Sequence, residues 1–360
     1  MLKRIDIYII KKFLGTYFFA IVLVLAIAVV FDFNEKMDAF IRTEAPAHKI
    51  IFDYYFNFVP YFANLFSPLF TFIAVIFFTS KLADNSEVIA MLASGMSFNR
   101  LMRPYMISAA VIALVTFLLN SFVIPPANID RLAFLNEYYK KNKYEETYAR
   151  NTQLMVEPGV IAYMERYDKG LKTGYRFSLE KFDNKKLISR LTAKSIKYDS
   201  AYQWTIKDYM IRRFNGMEES IERGTSRDTI IHFEPSDILI SRYDSEIMTT
   251  PELRRYIDKQ KQRGVANIQD FEIEYHKRFA MIAAAFILTA IGMALSSRKV
   301  KGGMGLNIGI GLGLSFSYIL FTTVTSTFAV TGRTSAMVAV WIPNIIYTLI
   351  AIYLYIKAPK

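Results

Sequence analysis

The sequence predicts an α-helical polytopic membrane protein of six transmembrane helices with an all-β domain inserted between the third and fourth. Three observations carry this. Six stretches hold no charged residue: Phe13–Phe31, Tyr54–Ser80, Pro104–Ile129, Phe279–Ser297, Gly302–Gly332 and Thr334–Ile356. Each reaches or exceeds the length of about 20 apolar residues that spans a bilayer core. Basic residues crowd alternate short loops between these runs, and a strand-like pattern fills the long segment after the third. The 360-residue chain is 53% hydrophobic overall, close to a soluble average, because the polar insert dilutes the spans.

The first run follows a basic arm and has the outline of a signal peptide. It is 19 residues long and lacks a small-x-small cleavage site before Asp32, so it reads as an uncleaved span. The net charge of +12 divides unevenly. Residues 125–277 hold 27 Lys+Arg against 24 Asp+Glu, so most of the excess lies on the membrane part. Lys3, Arg4, Lys11 and Lys12 precede span one; Lys81, Arg100 and Arg103 join spans two and three; Arg298, Lys299 and Lys301 join four and five; Lys357 and Lys360 end the chain. The alternate side carries only Lys36, Arg42, Lys49 and Arg333. The positive-inside bias puts both termini in the cytoplasm and the long insert in the periplasm. The charge reports topology, and no nucleic-acid partner is expected.

Within the insert, Arg176–Phe182, Leu187–Tyr198 and Trp204–Phe214 alternate apolar and polar residues, separated by turn signals such as Asp183-Asn184 and Asn215-Gly216. Such spacing predicts an antiparallel sandwich or barrel. Thr250 as N-cap, Pro251 at the first helical position and Glu252 in the first turn then open a helix that stops near Gly264. A second helix, from about Ala266, leads into span four. The domain boundaries expected are 1–124 for spans one to three, 125–265 for the β-domain with flanking helices, and 266–360 for spans four to six.

Catalytic chemistry is not encoded in any recognisable pattern. The chain lacks a phosphate loop and an H-E-x-x-H pair, and it has no Cys. No acid or base lies within the six runs, which argues against a self-driven ion-coupled carrier and against intramembrane hydrolysis. No catalytic, cofactor or metal residues are assigned, and the chain is not expected to be an enzyme. Gly305, Gly309 and Gly313 repeat at small-x-x-x-small spacing in span five, which predicts close helix packing or a face that slides against a neighbouring subunit. Residues 84–97 read as a short amphipathic helix at the cytoplasmic surface: Asp84, Asn85 or Ser86 can cap it, Glu87 sits in the first turn, Val88, Met91 and Leu92 share a face, and Gly95 ends it.

That helix, with Ser86-Glu87, Ala90, Gly95-Met96-Ser97 and Arg100, resembles the coupling-helix motif of the LptF/LptG (YjgP/YjgQ) lipopolysaccharide-export permeases. Ile5-Asp6-x-Tyr8-Ile9 resembles the family's opening. Glu252-Leu253-Arg254 through Glu274-x-His276-x-Arg278 resembles the approach to its fourth span, and Trp341-Ile342-Pro343-Asn344 its terminal signature. The resemblance runs the whole chain. It implies a half-transporter that pairs with a second six-span paralogue and extracts lipopolysaccharide from the inner membrane. A cytoplasmic LptB-like ATPase dimer, which uses ATP and Mg, would dock on Ser86, Glu87, Ala90, Met91, Gly95 and Ser97. An LptC-like single-span protein and an LptA-like bridge would carry the lipid onward, and the insert would be a β-jellyroll.

Lys36, Arg42 and Arg131 are candidates to meet lipid at the periplasmic rim, although Asp32, Glu35, Asp38 and Glu44 surround the first two. Gly305, Gly309 and Gly313 fall at the lateral gate that the family implies between spans one and five. Two alternatives share the architecture: a membrane scaffold whose β-domain binds a periplasmic partner, and an exporter of another amphiphile.

Overall fold

The computed structural model describes residues 3–139, 148–239, 243–263, 268–297 and 303–358. The expected basic loop Arg298, Lys299 and Lys301, the stop at Gly264, the helix start at Ala266 and the terminal Lys360 lie outside these residues. The chain divides into two compact units. One is helical and holds residues 1–139, 246–250 and 272–360; the other holds 140–245 and 251–271.

The helical unit begins with α1 (Arg4–Arg42), a single helix of 39 residues. The short α2 (Ala47–Lys49) passes through a π-turn at Ile50–Tyr55 into α3 (Phe56–Leu65) and then α4 (Ser67–Asp84). The second charge-free run is thus two helices rather than one. The break falls at Phe66, whose ψ of 6° leaves the helical region just ahead of Pro68 at the start of α4. Proline donates no N–H and fits a first turn, not a helix interior. Next come α5 (Glu87–Ala93), α6 (Phe98–Leu118), a π-turn at Leu119–Val123 and α7 (Ile124–Tyr138).

Residues 125–139, expected in the insert, belong to the helical unit instead. Pro125 and Pro126 stand at the start of α7, directly after the π-turn that interrupts the continuous run Phe98–Tyr138. Phe134 and Leu135 beyond them are each 3% exposed. Five further helices follow among the described residues: α8 (Asp244–Ile247), α9 (Thr250–Gln262), α10 (Gln269–Ser296), α11 (Gly303–Val330) and α12 (Ala336–Ile356).

Six helices of the described residues are long and apolar enough to cross a membrane: Arg4–Arg42, Ser67–Asp84, Phe98–Tyr138, Gln269–Ser296, Gly305–Val330 and Ala336–Ile356. α4 is the central one, with 72% of its apolar window buried, against 22% for α1 and for α11. Phe72 and Ile76 on α4 pack with Ala284, Leu288 and Ile291 of α10 and with Tyr318 and Tyr347. On the other side of α4, Phe70, Ala74 and Phe78 pack with Ile9, Phe13 and Tyr105.

Six strands form one antiparallel sheet in chain order: β1 (Tyr148–Glu157), β2 (Val160–Asp168), β3 (Thr173–Asp183), β4 (Lys186–Ser200), β5 (Gln203–Asn215) and β6 (Glu218–Ile230). The three expected strands fall within β3, β4 and β5. The all-β, antiparallel character agrees with the sequence, and the connection is a meander of hairpins.

One face of the sheet carries the core of Leu154, Met164, Tyr167, Phe177, Ile196, Trp204 and Ile206, joined by Phe233 and Ile238. The Trp204 indole donates Nε1–H to the Phe233 carbonyl at 3.1 Å, so the largest core side chain leaves no orphan donor. The register places Asn151, Glu165, Arg176, Lys194, Asp208 and Thr225 on one line across all six strands. On alternate strands this line holds non-glycine residues with positive φ, namely Asn151 (49°), Arg176 (51°) and Asp208 (50°). The inward side changes parity there: Met164 and Tyr167 are both buried on β2, and Ala193 and Ile196 on β4. A strand with an unbroken period of two could not bury both members of either pair.

Candidate functional site

The loop between α4 and α6 is built as its sequence requires at one end and not at the other. Gly95 adopts φ 85°, and the chain closes α5 with Gly95 N–H donating to the Leu92 carbonyl at 3.0 Å and Met96 N–H to Met91 at 3.3 Å. This is a Schellman closure, which favours glycine at the left-handed position. At the start, Ser86 is the N-cap, but its φ is 59° and its hydroxyl makes no capping bond. Glu87 instead accepts hydrogen bonds from Asn85 Nδ2 at 3.2 Å and from the Tyr8 hydroxyl at 3.1 Å. After the loop, Ser97 caps α6 by accepting from the Arg100 N–H.

Burial divides α5 into two faces. Val88 is 1% exposed and packs with Leu82, Phe98 and Leu101, and Met91 and Leu92 lean on the same cluster. Ser86, Ala90, Gly95 and Ser97 are exposed, and Ile89 is 53% exposed. The helix therefore lies on the helical unit by one face and offers a second, partly apolar face outward. Of the six residues expected to dock a partner, four lie on the open surface, Glu87 is half-buried and Met91 turns inward.

The three basic candidates separate in the same way. Lys36 is buried, donates to Asp32 one helical turn earlier, and lies over the rings of Tyr54 (5.6 Å) and Tyr139 (5.3 Å). The Tyr54 and Tyr55 hydroxyls donate to the same Asp32 carboxylate at 2.9 and 3.2 Å. Arg131 is buried too: Nε donates to Asn128 Oδ1 at 2.9 Å, Nη2 lies 3.6 Å from Glu246, and the guanidinium stacks 4.1 Å over the Tyr61 ring. Both cations hold the helical unit together. Arg42, in the last turn of α1, is exposed.

The glycine stripe faces away from the other described residues. A Cβ added at Gly305, Gly309 or Gly313 would meet nothing within 4 Å. The close approach expected of the stripe occurs instead at Gly311, where a Cβ would stand 2.2 Å from Ile76 Cδ1. The stripe and the packed glycine share one helix on different faces.

Sequence reasoning missed the polar ties. Asp6 receives both terminal nitrogens of Arg100, Nη1 at 2.7 Å and Nη2 at 2.6 Å. Asn344 Nδ2 donates to the Ala280 carbonyl at 2.9 Å, while its Oδ1 accepts the Tyr318 hydroxyl at 2.9 Å, joining α10, α11 and α12. Arg278, 1% exposed, reaches Glu274 at 3.1 Å and the Thr250 hydroxyl at 3.0 Å. The Asp32–Lys36 and Glu274–Arg278 spacings were the signals available beforehand, since i and i+4 share a helix face. The others join residues far apart in the chain.

Six membrane-length helices, an antiparallel β-unit between the third and fourth, and a short two-faced helix between the second and third define a multi-pass membrane protein. A family model described as the lipopolysaccharide export system permease LptF/LptG matches residues 7–357, and the chain belongs to that family. No curated protein matches the chain. Membership makes it a transporter component of the inner membrane within the Lpt ABC assembly, rather than a catalytic enzyme.

Proposed function

We propose that this chain is one of two permease subunits that together lift lipopolysaccharide out of the inner membrane, driven by a separate cytoplasmic ATPase. The observation that carries the reading is the outward face of α5. Val88 anchors the helix, whereas Ile89 and Ala90 present a small apolar surface beside Glu87. An LptB-like ATPase dimer would seat there and supply ATP and Mg chemistry. α1 and α11, the least buried of the six helices, would form the lateral opening with the second permease chain. The bare faces of Gly305, Gly309 and Gly313 let a neighbouring helix approach closely.

The N- and C-termini then lie in the cytoplasm and the β-unit in the periplasm, where it passes the lipid toward an LptC-like protein and an LptA-like bridge. Arg42 is the exposed cation for a lipid phosphate at that rim. Lys36 already neutralises Asp32, so a phosphate would have to displace a buried ion pair to reach it.

The test is co-purification from cells that also express the ATPase and the second permease. The wild-type chain retains the ATPase, and Ile89→Asp or Glu87→Arg releases it. A chain that retains the ATPase after both changes together does not use α5 as its dock.

A further inference from the structure

Two sequence motifs at opposite ends of the first hundred residues meet in one polar joint. Asp6 is the third residue of α1 and is 3% exposed. Its carboxylate accepts the Lys3 N–H at 2.8 Å and, on both oxygens, the guanidinium of Arg100. Arg100 stands in the first turn of α6, just beyond α5. Two residues further along α1, Tyr8 donates to Glu87 at the opposite end of α5. Ile9 and Phe13 of α1 pack behind these contacts with Val88, Phe98 and Leu101. The start of α1 is thus tied to both ends of the loop that carries α5.

We infer that the Asp6–Arg100 pair is the joint through which movement of α5 reaches α1. A bidentate guanidinium–carboxylate pair fixes distance and angle together, which a single hydrogen bond does not. Both oxygens are engaged, and the apolar cluster behind them prevents the pair from pivoting. α1 then continues unbroken for 39 residues, about 60 Å at the helical rise. A displacement of α5 becomes a tilt of α1, and α1 carries one of the two most outward-facing helix surfaces of the unit. Asp6 and Arg100 are positioning residues: neither lies on the exposed face of α5. This inference rests on the reading of α5 as the ATPase dock.

The experiment uses the full complex with the ATPase and second permease, reconstituted into proteoliposomes, and measures ATP hydrolysis and lipid release separately. Asp6→Asn and Arg100→Gln retain the ATPase and hydrolyse ATP within about two-fold of wild type, while lipid released per ATP falls about ten-fold. The exchange of charges, Asp6→Arg with Arg100→Asp, recovers part of that loss. The chain has no Cys, so Asp6→Cys with Arg100→Cys can be bridged by a short bifunctional thiosulfonate. Bridging restores lipid release and reduction removes it again. Normal lipid release by both single variants overturns the inference, as does an equal loss of hydrolysis and release that neither charge exchange nor bridging relieves. A wild-type complex that retains no ATPase overturns the docking reading itself, and the joint with it.

Discussion

Asn344 accepts the Tyr318 hydroxyl at 2.9 Å and, through its amide nitrogen, holds the Ala280 carbonyl at the same distance. A residue 2% exposed thereby ties three membrane helices with both ends of one side chain. It directly follows Pro343, inside α12. The terminal W-x-P-N signature therefore has a structural meaning: asparagine spends both polar groups on neighbouring helices where no water can replace them.

Replacing Asn344 with Leu strands the Tyr318 hydroxyl. The expected loss is about 1–2 kcal/mol, the range for an unpaired buried donor tempered by the weaker cost seen in membranes. Thermal unfolding in detergent measures it. Tyr318→Phe in the same background adds little further loss, since the two residues share one bond.

Gly174 faces the core side chains Met164 and Ile196. A Cβ built there would stand 2.3 Å from Met164 Sδ and 2.9 Å from Ile196 Cγ2. Gly174→Ala overfills the β-unit at a cost of about 1–3 kcal/mol, and combining it with Met164→Ala recovers part of that cost. Hydrogen exchange across β2, β3 and β4 reports both outcomes.

Asp237 is a pH-sensitive support of the β-unit. Burial raises its carboxyl pKa, but Arg263, the Glu234 N–H and Lys259 together more than offset this, holding it below the usual carboxylate value. Nη1 of Arg263 lies 2.6 Å away. A folded pKa below the unfolded one gives stability that is fully present above about pH 4 and lost as pH falls through the folded value. Exchange protection of residues 234–239 and 259–263 falls on acidification below that point. Asp237→Asn flattens the dependence in this window.

Glu87 has partners of its own in Tyr8 and Asn85, so its two roles must be separated. Tyr8→Phe removes one of the two internal bonds, keeps the carboxylate and leaves the ATPase attached. Glu87→Arg removes the carboxylate from both and releases the ATPase; truncating a desolvated charge contact costs roughly 2–5 kcal/mol of binding. Equal retention of the ATPase by the two variants would confine Glu87 to its own loop.

Much of the fold was legible because a bilayer and a pleated sheet each impose one period on the sequence. Each of the six charge-free runs falls on one membrane-length helix, the second with the short α3 ahead of it, and the alternation of 176–214 became β3 to β5. β6 escaped notice because its residues, from Glu218 to Ile230, are mostly exposed and polar, as suits a sheet edge. The parity change at Arg176 and Asp208 also hides alternation from any window that crosses it. The site was legible only in part. The sequence placed the α5 loop and its Gly95 stop, since both depend on neighbours a few residues away. It could not show that Lys36 and Arg131 turn inward, because part of what engages them comes from elsewhere in the chain: Tyr54 and Tyr139 for one, Glu246 for the other. Nor could helical spacing say which face of α11 packs on Ile76 and which stays bare.

The central claim is ATP-driven lipid export through this chain. It is tested by reconstituting it with its paralogue and the ATPase in proteoliposomes loaded with lipopolysaccharide, and counting lipid transferred to a soluble β-jellyroll acceptor. Transfer that requires ATP, and stops when α5 can no longer hold the ATPase, is the predicted result. ATP hydrolysis at a normal rate with no lipid transferred, or transfer of other amphiphiles but not lipopolysaccharide, would contradict it.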